Sequence, residues 1–235
     1  VMVVVMVNGK AGLSEIPVSG VTVPKPRGGR TMKAATKPSA AASVVVIPGI
    51  GIRNVVIRVI GDTPFISHAW SQKAVQMIKD KQAKKAVAGR ETRDPQADYL
   101  SSMYRDEKGI PYIPALMFKS AAVGACTQLD NMTKTYARGA FHINLEDPRV
   151  YFTNAVKPEM REDMVRVGMG VADVRYRAQF WPWEVDLRVR FNERAISEEQ
   201  IANLLNVAGF AVGIGEWRPE KDGQFGMFHV GNATG

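Results

Sequence analysis

The sequence predicts an α+β fold, a βαββαβ core with insertions and an extended N-terminal arm. Three observations predict it. Residues 174–180 and 183–191 alternate apolar and polar side chains with the period of a strand, and apolar runs at 54–60 and 225–230 read as strands near either end of the body. Two segments carry helix signals, 115–129 and the stretch opened by Ser197-Glu-Glu-Gln200. Residues 1–43 differ in composition from everything that follows.

The arm contains Pro24-Lys-Pro-Arg-Gly-Gly-Arg30 and Lys33-Ala-Ala-Thr-Lys-Pro-Ser39, with Glu15 its only acid. Such a segment buries too little apolar surface to fold alone. An ordered basic arm needs support from its own body, a neighbouring subunit or nucleic acid, and a neighbouring subunit is the expectation. Val1-Met-Val-Val-Val-Met-Val7 is apolar but short and lacks a basic leader, so it reads as neither signal peptide nor membrane span.

The folded domain is expected over 44–235, with a helical insertion near 71–104. The strand at 54–60 is apolar on both faces except Arg58 and runs into the turn Gly61-Asp-Thr-Pro64. Residues 71–88 read as a basic helix, with Lys73, Lys79, Lys81, Lys84 and Lys85 against Asp80 and a narrow stripe of Ala74, Met77 and Ile78. After a loop at 89–93, Asp94-Pro95 is an N-cap and first-turn pair opening a helix to about Tyr104. A turn at Asp106-Glu-Lys-Gly109 precedes Ile110-Pro-Tyr-Ile-Pro114. The helix at 115–129 is rich in small residues (Ala121, Ala122, Gly124, Ala125), which allow close approach to a sheet. Its single cation, Lys119, either snorkels to water or meets a ligand.

Residues 133–170 read as irregular, with room for further strands. The alternating segments then place Val174, Tyr176, Ala178 and Phe180 opposite Arg175, Arg177 and Gln179, and Trp183, Val185, Leu187, Val189 and Phe191 opposite a polar set. With Pro182 between them they predict a hairpin having one buried and one polar face. Ser197 and Gln200 form a capping box for a helix that buries Ile201, Leu204, Leu205 and Ala208 and stops at Gly209 or Gly213. Strand, insertion, helix, hairpin, helix, glycine loop and strand make the ferredoxin-like order.

Thirty-one Lys and Arg against 23 Asp and Glu give a net charge of +8. That balance favours a polyanionic partner, nucleic acid ahead of a membrane. One cysteine, Cys126, excludes a disulfide framework and a cysteine-rich zinc site, and fits a reducing compartment. No phosphate-binding loop, nucleophile elbow or dinucleotide fingerprint is present. His68 in Ser-His-Ala-Trp shows no partner base; His142 and His229 lie on apolar alternations; Asp62 suits its turn; Glu162 and Asp163 are adjacent acids of a solvated kind. The expectation is no catalytic residue, no metal and no cofactor.

The cations are the stronger signal. Lys73, Lys81, Lys84 and Lys85 share the basic helix. Arg175 and Arg177 share a strand face, expected beside Arg188 and Arg190 with Glu184 and Asp186 available for cross-strand pairing. Arg138 and Arg166 lie in the irregular middle. The loop Gly213-Ile-Gly-Glu-Trp-Arg-Pro-Glu-Lys-Asp-Gly-Gln-Phe-Gly226 adds a stacking surface, Trp217, and two cations, Arg218 and Lys221. Its glycines, Gly213, Gly215, Gly223 and Gly226, allow positive φ or close approach to a ligand. Charge plus stacking is how single strands are held without sequence readout.

Three of these segments together resemble the RAMP superfamily of CRISPR-associated proteins, especially the backbone subunits that polymerise along guide RNA. They are the Gly61-Asp-Thr-Pro64 turn, Tyr112-Ile-Pro-Ala-Leu-Met-Phe-Lys-Ser120 with its cation Lys119, and the glycine-rich run from Gly213 to Phe228. The chain departs from that family at Ala-Leu-Met-Phe, where a Gly/Ser-rich turn is usual, and at Trp217-Arg-Pro. The resemblance implies a RAMP-like ferredoxin fold and a non-enzymatic protein that binds single-stranded nucleic acid, RNA ahead of DNA, as a head-to-tail oligomer in a ring or filament. A second and closer likeness is to a protein of tailed-bacteriophage genomes sharing Ile66-Ser-His-Ala-Trp-Ser71, Arg161-Glu-Asp-Met-Val-Arg166 and Gly215-Glu-Trp-Arg-Pro-Glu220. It implies a phage origin and action in the cytoplasm of a bacterial host. A virion or assembly component and a strand-annealing recombination factor are the alternative readings.

Overall fold

The computed structural model describes residues 49–70, 76, 78–80, 82–83, 94–167 and 170–231, together with the backbone of 4–7 and 10–13. The chain divides into two units, Val1–Ile47 and Pro48–Gly235. In the first, β1 (Val4–Val7) and β2 (Lys10–Leu13) pair antiparallel, with Val4 opposite Leu13. The Pro/Gly/Ala-rich stretches of the arm lie outside the described residues.

In chain order the second unit runs β3 (Ile52–Gly61), β4 (Phe65–Ile66), α1 (Pro95–Ser101), β5 (Tyr112–Pro114), α2 (Ala115–Ala125), α3 (Lys134–Ala140), β6 (Phe141–Ile143), β7 (Arg149–Tyr151), β8 (Glu159–Val167), β9 (Val171–Phe180), β10 (Glu184–Asn192), α4 (Glu198–Ala211) and β11 (Phe228–Val230). It is an α+β arrangement of antiparallel sheets. The principal sheet has the order β11-β3-β10-β6, a second has β4-β9-β8, and β5 pairs with β7.

Alternation explains the principal sheet. Ile57 and Val59 of β3 and Val185, Leu187, Val189 and Phe191 of β10 point to one face and are buried. On that side α2 and α4 pack together, and Phe118 meets Phe228 edge-on at 5.6 Å between ring centres. The capping box of α4 forms as expected, with Gln200 N–H donating to Ser197 Oγ (3.1 Å) and Ser197 N–H to Gln200 Oε1 (2.9 Å). The helix ends at Gly213, not Gly209: Gly213 takes φ 68° and its N–H donates to Ala208 O at 2.8 Å.

Asp94 caps α1 by accepting from Gln96 and Ala97 N–H. That helix stops short of Tyr104 because Ser102 is held by tertiary bonds. Its Oγ accepts from Ala178 N–H, and its carbonyl accepts from Ser67 Oγ and Ala69 N–H. In the expected basic helix, Gln76, Ile78–Asp80 and Gln82 are helical, while Lys73, Lys81, Lys84 and Lys85 lie outside the described residues.

Two expectations are overturned. The segments 174–180 and 183–191 do not form a hairpin. β9 pairs with β8, from Glu159↔Gln179 to Val167↔Val171, while β10 pairs with β3 and β6. Alternation sets the faces of a strand but not its partners. Here Trp183 decides: fully buried, it donates Nε1–H to Thr63 O (2.8 Å) and accepts Gly61 N–H at its own carbonyl (2.9 Å). Burying that indole draws the chain from one sheet to the other. The second overturned expectation is the irregular middle, which holds α3, β6, β7 and β8. β6 is three residues long, too short for any period to register.

Candidate nucleic-acid interface

The glycine-rich loop is wound on itself and pinned to the Thr-Pro turn. Ile214 N–H donates to Gly226 O (3.0 Å), Gly226 N–H to Pro64 O (2.8 Å), Glu216 N–H to Ile66 O (3.1 Å) and Phe225 N–H to Trp217 O (2.9 Å). A Cβ on Gly223 would stand 1.7 Å from Trp217 O, and one on Gly226 1.8 Å from Ile214 O. Gly213 likewise faces Pro219, and Gly215 faces Ile66 O. The close approaches that these glycines permit are to the protein's own chain.

Arg218 is engaged within the loop: Nε and Nη2 donate to Glu220 Oε2 (3.1 and 2.7 Å) and Nη1 to Gly215 O (3.1 Å). Trp217, at φ 55°, is 37% exposed, and Lys221 is exposed. Beside the loop lies a groove of about 630 Å³ lined by His68, Tyr104, Ser120, Ile214, Glu216 and Arg218. The three segments singled out in the sequence therefore meet at one place.

His68 has a partner after all: a hydrogen bond joins its Nδ1 to Glu216 Oε1, while Tyr104 Oη–H donates to its carbonyl at 3.1 Å. Glu216 was invisible as that partner because 148 residues separate the two in sequence. Behind it stands Arg177, 3% exposed, with Nη2 3.8 Å from Glu216 Oε1. The His68 hydrogen bond holds the Glu216 carboxyl below the usual range; burial opposes this and Arg177 adds to it. Burial also draws the Arg177 guanidinium below its ordinary value.

Several predicted binders have internal work. Lys119 neither snorkels nor opens to a ligand: Nζ donates to the carbonyls of Ala137 and Phe141 and sits 3.6 Å over the Phe141 ring. Burial lowers its ammonium to about 8. Arg175 and Arg177 face Asp163 and Arg161 of β8, not Arg188 and Arg190. Arg175 Nε lies 3.7 Å from Asp173, and Arg161 donates to Asp163 (2.7 Å) while covering Phe225. The face of β9 expected to meet water is thus turned toward the loop at Arg177. Arg138 and Arg166 are exposed.

The outer face of the principal sheet differs. Arg188 and Arg190 of β10 are exposed and lie opposite Val56 and Asn54 of β3, with His142 of β6 across from Arg190. Val56 is 63% exposed, and no side-chain bond of Arg188, Arg190 or His142 occurs among the described residues. A groove of about 340 Å³ is lined by Asn54, Val56, Arg188 and Arg190 on one side and by Glu146 and Asp147 on the other. The Arg149 hydrogen bond holds the Asp147 carboxyl below its usual range, and the Arg188 charge adds to this. Further along, Arg58 is forked onto Asp186 (2.9 and 3.1 Å), which neutralises it. The outward period of β10 was the available signal for Arg188 and Arg190; nothing in the sequence marked His142.

Among the described residues, no three His, Cys, Asp or Glu side chains are grouped to hold a metal ion, and no helix is long and apolar enough to cross a membrane. No protein-family model matches the chain, and no curated protein does. Among solved structures it is similar to the crystal structure of Cmr6 from Pyrococcus furiosus, with 10% identity and a TM-score of 0.41 over 78% of this chain and 100% of that one. A likeness of that size carries no argument about fold or function.

Proposed function

We propose that this chain is a non-enzymatic protein that binds single-stranded nucleic acid, RNA in preference to DNA, on the open face of a ferredoxin-like sheet. One observation carries the reading: the guanidiniums of Arg188 and Arg190, neither of them hydrogen-bonded among the described residues, beside His142 and Asn54 and over the exposed apolar floor at Val56. Two residues apart on a strand, the arginines are spaced by about 7 Å. They bind successive phosphates of an extended strand while the sheet floor takes its sugars and bases. Trp217 and Lys221 provide a second contact.

The connectivity supports the ferredoxin-like part. With insertions set aside, β3, α2, β6, β10, α4 and β11 follow one another, and the fourth, first, third and second strands lie side by side. The RAMP-like assignment, the head-to-tail assembly through the N-terminal arm and a phage origin with action in the host cytoplasm belong to the same proposal. They rest on the sequence resemblance.

Fluorescence anisotropy with labelled 20-nucleotide RNA and DNA, across a salt series, tests it. Affinity is expected to fall steeply as salt rises, the bound RNA is expected to stay uncut, and R188E/R190E is expected to weaken binding at least tenfold for any sequence. Salt-independent binding, or none, would overturn the proposal.

A further inference from the structure

We propose that the outer edge of β8 is an isologous self-association surface, on which β8 of a second copy pairs antiparallel about a two-fold axis through Met164. β8 closes one side of the sheet β4-β9-β8 and is nine residues long. Among the described residues no backbone hydrogen bond reaches its outer edge. A long unpaired edge offers a ladder of N–H and C=O groups, and proteins normally block it with like charge, proline, a bulge or a covering loop. β8 has no proline, and its charges are of both signs.

The register follows from the side chains. Met160, Glu162, Met164 and Arg166 share one face, and all four are exposed, Met160 at 52% and Met164 at 79%. Glu162 and Arg166 have no ion pair among the described residues. A two-fold axis perpendicular to the sheet keeps like faces together and sets one residue opposite its own copy. Through Glu162 the axis would stack carboxylate on carboxylate. Through Asp163 it would oppose two buried carboxylates and face Glu162 with methionine. Through Met164 it places thioether on thioether, Glu162 against the partner's Arg166 and Arg166 against the partner's Glu162. On the inner face Asp163 then meets Val165. The axis through Glu162 also sets Arg161 against the partner's Asp163, but those two are already joined within each chain on the inner face. On the exposed face, the register through Met164 alone makes opposite-charge pairs, and it makes two.

This contact uses none of the residues of the proposed nucleic-acid face. It removes Arg166 from the cations open to nucleic acid.

Cysteine crosslinking of the full-length, nucleic-acid-free protein tests the contact itself, whatever else assembles the chain. The single natural cysteine, Cys126, is buried. In M164C the two introduced thiols stand on residues about 4.5–5.5 Å apart, within disulfide reach. In M160C they are eight residues out of register, about 27 Å apart. M164C is expected to give a covalent dimer under mild oxidation, and M160C at least fivefold less. Adding E162K or R166E to M164C is expected to cut crosslinking at least fivefold. Mixing those two double variants is expected to restore it, because the heterodimer regains both opposite-charge pairs; that rescue also shows that each variant folds. Crosslinking of M164C no greater than M160C overturns the proposal. So does M164C crosslinking that is indifferent to the charge variants, which would assign the encounter to some other contact or to a different partner on this edge.

Discussion

The glycine-rich loop and the outer face of the principal sheet are built from opposite materials. The loop is dense in glycine, aromatic residues and cations, yet its backbone closes on itself, Arg218 is forked onto Glu220, and its glycines make room for Trp217 and Ile214 carbonyls. The sheet face has no motif, only outward positions of alternating strands, yet no side-chain hydrogen bond engages Arg188 or Arg190 among the described residues, and Asp147 is near Arg188 as a charge without a bond. Residue types that suit a ligand also suit a tightly wound turn. What separates the two is whether the polar atoms are already satisfied.

If that contrast holds, damage to the loop acts on stability and damage to the sheet face acts on binding. The largest effect is expected at Gly226, where φ is 66° and a methyl group would overlap Ile214 O. G226A should cost about 3 kcal/mol or more in denaturant unfolding, with affinity per folded molecule unchanged. A G226A protein as stable as wild type would break the comparison from the loop side. Next, R188E/R190E should weaken RNA binding at least tenfold, flatten the salt dependence and leave the unfolding free energy within about 0.5 kcal/mol of wild type.

Two pH measurements sharpen the picture of the occupied polar groups. The Glu216 carboxyl is lowered in the folded state, so the unfolded chain binds the extra proton as pH falls. Its contribution to stability is present above about pH 4.5 and is lost below it. Acid unfolding should show this loss in wild type and not in E216Q. Lys119 works in the other direction: folding lowers it to about 8 from 10.5, so between those values the unfolded chain holds more protons and stability rises with pH. K119M should abolish that rise, and a K119M protein with an unchanged profile would mean that the ammonium is not buried. The smallest effect is expected from W217A/K221E, a two- to threefold loss of affinity; a loss larger than that of R188E/R190E would return the interface to the loop.

Where signals were local, the sequence was legible. The capping box at Ser197, the Asp94 cap, the outward arginines of β10 and the terminal strand all follow from residues within a few positions of one another. Where they were not local, it was silent. Three-residue β6 has no period, Trp183 reaches into the core instead of turning a hairpin, and the His68–Glu216 contact joins residues that only the fold brings together. The basic helix was read in sequence as a binding element, but its Lys73, Lys81, Lys84 and Lys85 lie outside the described residues.

By itself, then, the sequence determined where the capped helices begin, the buried face of β10 and the surplus of positive charge, because each is set by short-range sterics, by periodicity or by composition. The tertiary structure alone decided which strand pairs with which, and therefore that Arg175 and Arg177 turn toward the loop while Arg188 and Arg190 stay in the open. Strand partnership is chosen by long-range burial, here of Trp183, and a one-dimensional pattern has no term for that.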